Sequence, residues 1–134
     1  MRDSEETRQR IRENADEIVR LRARADAMYA QRATHGDEAW RDACDEFHAR
    51  YDALAFPGGY DTDLFRRLDA GERNTVEAVL CFLEVRPYFF RSGYMWKELL
   101  RRAKRVPLDA QRAERLATVV RNYAEYRARR TPRA

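Results

Sequence analysis

The chain has 134 residues, of which 44% are hydrophobic and 37% are charged, and its formal net charge is +4. That length suits one domain with a real hydrophobic core, and no apolar run approaches the roughly 20 residues that a membrane-spanning helix needs. Because the charged amino terminus also lacks the apolar segment of a signal peptide, we expect a cytoplasmic protein that does not bind membranes.

The charge is unevenly distributed along the chain. Residues 1–60 have a net charge of −3, whereas residues 61–134 have a net charge of +7. Arginine supplies 25 of the 27 basic side chains. An excess of arginine is typical of phosphate or carboxylate recognition, although biased codon usage explains the same count more simply. The second half is therefore where a basic surface is expected.

A long amphipathic helix is predicted over residues 4–33, with Ser4 as its N-cap. Its narrow apolar stripe contains Ile11, Ala15, Ile18, Leu21, Ala25 and Met28. We favour an antiparallel hairpin between this helix and the next one. The alternative is a homodimer in which the long helix packs against a second copy of the chain.

A second helix is predicted after Gly36, with Asp37 as its N-cap. Its apolar stripe contains Trp40, Cys44, Phe47, Tyr51 and Leu54. The segment over residues 56–60 follows, with the sequence Phe-Pro-Gly-Gly-Tyr. We interpret it as a tight turn, since a phosphate-binding loop would need a Walker lysine and a preceding strand.

Two further helices carry clear start signals. Asp61 is predicted to cap a short third helix, where Tyr60 and Phe65 occupy the two positions of a hydrophobic staple. Asp109 is predicted to cap the last helix in the same way. Helices three and four align with helices five and six at offsets of 35 and 40 residues, as two helical-hairpin repeats would. Because the offset changes and any two amphipathic hairpins of similar length align in this way, we favour two unrelated hairpins.

The strongest core signal belongs to the fourth helix, whose apolar residues recur at i, i+3, i+4 and i+7: Val76, Val79, Leu80 and Leu83. Asn74 and Glu77 predict a capping-box variant at its start, and Pro87 predicts its end. A fifth helix is predicted to begin at a Ser92 cap. It places Trp96, Leu99, Leu100 and Ala103 on its apolar face.

Together these elements predict an all-α fold, a single-domain bundle of about six helices over residues 1–130. The long first helix would be followed by helical hairpins over residues 37–126. A variant of this architecture is a short stack of hairpins, as in α-solenoids. Residues 131–134 are predicted to form a disordered basic tail.

Residues with catalytic or metal-binding chemistry are sparse. Cys44, His48 and Asp52 share one flank of the second helix, an arrangement that could hold a metal ion or a thiolate–imidazole pair. A structural zinc site needs four ligands, so we favour a buried thiol beside a surface histidine. The sequence also lacks nucleotide-binding and hydrolase motifs. We therefore expect no enzymatic activity and no cofactor, and a small enzyme or metal-binding protein using Cys44 and His48 is the last alternative.

The basic, aromatic segment over residues 86–105 is the strongest functional signal, with seven basic side chains against one acid. No single face can bury its three consecutive rings, so at least one should contact a second element or a partner. The residues expected to bind a partner are Tyr88, Phe89, Phe90, Arg91, Tyr94, Lys97, Arg101, Lys104 and Arg105. The leading hypothesis is a protein-protein interaction module that binds an acidic, partly apolar partner. The alternative is a nucleic-acid-binding protein that uses the same cations.

Overall fold

The computed structural model describes the backbone of residues 2–130 and the side chains of residues 4–130. Six helices follow one another: α1 (Arg2–Ala30), α2 (Arg32–Ala55), α3 (Thr62–Asp69), α4 (Arg73–Val85), α5 (Ser92–Ala103) and α6 (Ala110–Arg130). No strand occurs within residues 2–130, so the predicted all-α bundle is confirmed. The predicted tail, residues 131–134, lies outside the described range.

Helix α4 is the centre of the bundle. Its apolar residues continue around most of the helix, and the buried ones are Val76, Val79, Leu80, Cys81, Phe82 and Leu83. Helices α1, α3, α5 and α6 all pack against it. The wide apolar surface of α4 is therefore covered from several sides, which is the arrangement that a nearly all-round hydrophobic helix requires.

Helices α1 and α2 form the predicted antiparallel hairpin. Glu17 accepts a hydrogen bond from Arg50 at 2.9 Å, and Arg24 pairs with Glu46 one turn earlier along α2. Helix α1 ends at Ala30, three residues before its predicted end. Residue 36 interrupts the helical conformation at the start of α2, since Gly36 has φ 81° and ψ 170°. Regular α2 thus follows this glycine, as the sequence indicated.

Helices α1 and α6 run in the same direction as α4 and approach each other across it. Ser4 and Arg8 of α1 contact Glu77 and Glu84, which follow one another along α4. Arg115 of α6 binds both of these glutamates at 2.8 Å. Because the first and last helices both contact α4 in this way, the helices surround α4 rather than forming an open stack in which each hairpin touches only its neighbours.

The start signals of α3 and α6 are correct. The Asp61 carboxylate accepts a hydrogen bond from the Leu64 N–H at 2.9 Å, and Asp109 caps α6 at the same distance. The Tyr60 and Phe65 rings meet edge to face, with 5.5 Å between their centroids. The predicted cap and staple are both present at α3.

Three other predicted caps are wrong. Helix α4 begins at Arg73, one residue before Asn74, and the Glu77 carboxylate binds Arg115 and Ser4 instead of closing a capping box. Ser4 is not an N-cap because α1 already begins at Arg2. Ser92 is the first residue of α5 rather than its cap, and its hydroxyl accepts the Phe89 N–H at 3.0 Å. Distant groups bind the Ser4 and Glu77 side chains that the local pattern assigned to caps, whereas the Ser92 hydroxyl bonds three residues back, in the preceding turn.

Candidate functional site

A groove of about 950 Å³ opens where α4 ends. Pro87 stops α4 after Val85, whereas α1 and α6 continue beyond that point. The α1 wall consists of Val19, Arg22, Ala23 and Asp26. The floor is the α4–α5 connection with the first turns of α5, and Tyr126 contributes from α6. The end of α4 at Pro87, which the sequence predicted, therefore leaves an open space between α1 and α6.

The three rings after Pro87 have different environments. Tyr88 is 90% exposed, whereas Phe89 is buried and meets the Tyr51 ring at a centroid distance of 6.0 Å. Phe90 is 39% exposed and lies under the Arg22 guanidinium, 4.2 Å from its ring centroid. The expectation that at least one ring contacts a second element is confirmed, since Phe89 and Phe90 both reach α2.

The connection that carries these rings is held in a defined shape. Arg86 and Arg91 bracket it with left-handed backbone angles, φ 51° and φ 69°, which are uncommon for residues other than glycine. The Tyr51 hydroxyl donates a hydrogen bond to the Phe90 carbonyl at 2.6 Å, and burial raises the pKa of Tyr51 to about 12. This bond and the Ser92 bond described above hold the turn, so Tyr88 projects outward from a fixed backbone.

A second, smaller cleft of about 530 Å³ continues the groove toward the carboxyl end of α6. This basic cleft is lined by Arg86, Gly93, Lys97, Tyr123, Tyr126, Arg127 and Arg130, and the described lining contains no acid. Arg86 stacks over Tyr126, 4.0 Å from the ring centroid. Stacking leaves the guanidinium charge in place, so the cleft is a site of concentrated positive charge beside aromatic rings.

The structure brings together six of the nine residues expected to bind a partner. The groove is lined by Tyr88, Phe89, Phe90, Arg91, Tyr94 and Lys97. Arg101, Lys104 and Arg105 line neither the groove nor the basic cleft. Tyr94 is 77% exposed, and within residues 4–130 Lys97 forms no ion pair. The exposed rings and the unpaired charge are thus concentrated at the start of α5.

The glutamate of α5 partly neutralises its basic side. Glu98 pairs with Arg101 at 2.5 Å and with Arg102 at 2.7 Å. Hydrogen bonds from these two arginines lower the pKa of Glu98 to about 2. The regular spacing of Lys97, Arg101 and Arg105 therefore does not produce three equivalent free cations, because Arg101 already has a partner.

Several residues that line the groove or the basic cleft were not predicted from the sequence. Val19 and Ala23 lie outside the apolar stripe of α1, and Tyr126 and Arg130 belong to the far end of α6. Val19 is 46% exposed, which is high for a valine on a helix that packs against two others. The position of Val19 outside the apolar stripe of α1 was a sign that this side of the helix could be covered. The neighbouring residues did not indicate which helix would lie opposite it.

The other residues with catalytic or metal-binding chemistry do not form a cluster. Cys44 is half-buried, while His48 is exposed with its ring 5.5 Å from the Phe47 ring. Within the described residues no three histidine, cysteine or acidic side chains form a group that could hold a metal ion. Near α3, Asp63 pairs with Arg66 at 2.9 Å, and both side chains are exposed.

None of the helices described is both long enough and apolar enough to cross a lipid bilayer. No protein-family model, curated protein or solved structure matches the chain. The groove is therefore the feature from which a function can be inferred.

Proposed function

We propose that this protein is a non-enzymatic interaction module whose groove binds an acidic, partly apolar surface of a protein partner. The observation that carries the proposal is the pair of exposed rings, Tyr88 and Tyr94, which line the same groove as Arg91 and Lys97. Arg91 stacks on the Phe90 ring, and neither of these two cations forms an ion pair within residues 4–130. Tyrosine and arginine are the residues that dominate binding energy when a partner covers them.

The size of the groove is consistent with a modest affinity. Covering two tyrosine rings removes roughly 300 Å² from water, a gross gain of about 7 kcal/mol at 25 cal/mol per Å². Association costs a comparable amount in lost translational and rotational freedom. Net binding then depends on the neighbouring apolar contact at Val19 and on charge pairing with Arg91 and Lys97. We therefore expect an affinity that falls as salt is added.

A second candidate function is nucleic-acid binding through the basic cleft. It is favoured by the absence of any acid among the cleft's described lining residues and by the rings of Tyr123 and Tyr126. Phosphates would pair with the cations of the cleft, and bases would stack on the exposed rings of the adjoining groove, Tyr88 and Tyr94. The groove itself suits a protein better, because its α1 wall combines an aliphatic side chain, Val19, with a carboxylate, Asp26.

Two displayed peptide libraries test the proposal. Both contain apolar residues at the same frequency, but one carries aspartate and glutamate where the other carries lysine. We expect the immobilised protein to retain peptides from the acidic library and not from the basic one. A Tyr88→Ser, Tyr94→Ser variant should lose this retention. Tyr29→Ser provides the matched control, since Tyr29 is half exposed but does not line the groove.

A titration with labelled single- and double-stranded oligonucleotides separates the two candidates. Protein binding as proposed predicts weak oligonucleotide association, even at low salt. Micromolar association with a steep salt slope would instead support the second candidate if Lys97→Ala with Arg130→Ala removes it. That result, together with no enrichment from the acidic library, would overturn the proposal.

A further inference from the structure

We infer that the partner element in the groove is an α-helix that lies between α1 and α6 as a continuation of α4. The inference depends on the proposed function and adds the conformation and orientation of the bound segment.

The two walls of the groove are in register with their contacts to α4. Glu84, in the last turn of α4, contacts Arg8 of α1 at 2.9 Å and Arg115 of α6 at 2.8 Å. Val19 lies eleven residues after Arg8, and Tyr126 lies eleven residues after Arg115. Eleven residues are about three helical turns and roughly 16 Å. Each wall residue therefore lies on nearly the same face of its helix as the residue that contacts α4.

The space beyond the end of α4 therefore has the shape of a helix that would extend α4. The faces of α1 and α6 that enclose α4 continue past its end and enclose the groove instead. A helix about 10 Å in diameter occupies roughly 80 Å³ per ångström of its axis. The groove volume of about 950 Å³ thus corresponds to roughly two helical turns, somewhat less than the length over which the walls extend.

An extended peptide would fit this space poorly. A bound strand gains much of its affinity from main-chain hydrogen bonds to an open sheet edge. Both walls here are helices, whose backbone groups are already paired internally except at the ends. A helical partner satisfies its own backbone and needs only side-chain contacts, so it matches walls that offer only side chains.

The distribution of charge sets the orientation of that helix. On the α6 side the groove continues into the basic cleft with Arg86, Lys97 and Arg130, whereas on the α1 side Asp26 already pairs with Arg22 at 3.5 Å. The bound helix should therefore place an apolar stripe over Val19 and an acidic flank toward α6. A basic residue is tolerated only on the flank beside Asp26.

Three synthetic peptides of about 15 residues test the inference by fluorescence anisotropy with the full chain. The first is a hydrocarbon-stapled helix with leucines at i, i+3, i+4 and i+7 and glutamates along one flank. The second has the same residues but a central proline and no staple, and the third replaces the glutamates by lysines. We expect the first peptide to bind at least about tenfold more tightly than either of the others.

A substitution in the wall provides the structural control. Ala23 is exposed on the α1 wall, so Ala23→Trp fills the groove without disturbing the core. It should weaken binding of the stapled peptide at least about tenfold. Ala53→Trp, at an exposed position on α2 outside the groove, should leave binding unchanged.

The outcomes separate the inference from the proposed function. Equal binding of the stapled and proline-containing acidic peptides, both sensitive to Ala23→Trp, would overturn the helix inference and leave the proposed function standing. If no acidic peptide binds, including those taken from the display library, the proposed function fails. Sedimentation of the protein alone gives the last test: a dimer that Ala23→Trp dissociates would mean that a second copy fills the groove, and would overturn the inference.

Discussion

Replacing Arg115 by methionine should destabilise the bundle because this side chain joins α6 to both of the glutamates that α1 also contacts. Its guanidinium donates two hydrogen bonds to Glu84, at 2.8 and 2.9 Å, and approaches Glu77 at 2.8 Å. These bonds, with Glu84 contributing most, raise the pKa of Arg115. Methionine keeps most of the aliphatic packing but leaves two carboxylates without their main partner.

The expected cost lies between the values for surface and buried ion pairs. The side chains of Arg115 and Glu77 are each 20% exposed, and that of Glu84 is 24% exposed. Exposed pairs contribute about 0–1 kcal/mol, and breaking a buried pair costs about 3–5 kcal/mol. We therefore expect a loss of about 2 kcal/mol, which for a chain of this length lowers the Tm by roughly 8 °C. Arg115→Lys should cost about half as much, because lysine keeps the charge but cannot bind in the forked geometry.

Thermal and urea unfolding followed by circular dichroism measure this loss. Arg121→Met is the matched control: its pair with Glu114 spans 3.6 Å between side chains that are 61% and 73% exposed, so its loss should cost less than about 0.5 kcal/mol.

Although burial raises the pKa of Glu77, hydrogen bonds from Ser4 and Arg115 outweigh it, and the net shift is downward. A lowered carboxyl pKa stabilises the fold above the ordinary value of 4.5, and this stabilisation is lost as the pH falls below it. The effect of Arg115→Met should therefore shrink in acid. Equal effects of the two substitutions at neutral pH would refute the reasoning.

Three further predictions concern single side chains. Ser92→Ala should cost about 1–2 kcal/mol in urea unfolding, because it removes the acceptor of a buried N–H, whereas Asn74→Ala should leave stability within about 0.5 kcal/mol since no capping box is formed. In a spectrophotometric titration two tyrosines should ionise late, because burial raises the pKa of Tyr60 and raises that of Tyr51 to about 12; Tyr51→Phe should remove the step near 12. In the unfolded chain the Tyr51 hydroxyl loses its proton near pH 10. The contribution of Tyr51 to stability should therefore be present below pH 10 and decline above it. Alkylation at mildly alkaline pH should modify Cys44 well before Cys81, whose thiol is buried and has its pKa raised to about 11; comparable rates would contradict the burial.

Local patterns predicted the helices well because their physical causes lie within a few residues. Val76 and its periodic neighbours mark the buried face of α4. The Asp61 cap needs only the N–H three residues ahead of it, and Pro87 removes the backbone conformation that would extend α4. Each of these features determines the conformation of the backbone within a few residues. Tertiary contacts therefore changed little of the predicted helical structure at these positions.

The groove could not be predicted because it depends on contacts between distant parts of the chain. Glu77 was expected to act within its own helix, but Arg115, 38 residues later, provides a stronger charged partner. The same contacts align α1 with α6 and carry Val19 and Tyr126 to the two sides of the α4 end. Tyr88 and Tyr94 were predicted from a segment rich in aromatic residues, and both line the groove. Their opposing wall on α1 required the packing of helices that are separated by most of the chain.

A nitrogen-15 NMR titration of the labelled protein with the glutamate-flanked stapled peptide tests the groove most directly. We expect the amide signals that shift to belong to residues 19–26, 86–97 and 123–130, the segments that enclose the groove and the basic cleft. Signals of the outer face of α2 should stay in place. Shifts confined to α2 or to Arg101, Lys104 and Arg105 would contradict the groove as the binding site. The absence of any shift up to the solubility limit of the peptide would contradict it as well.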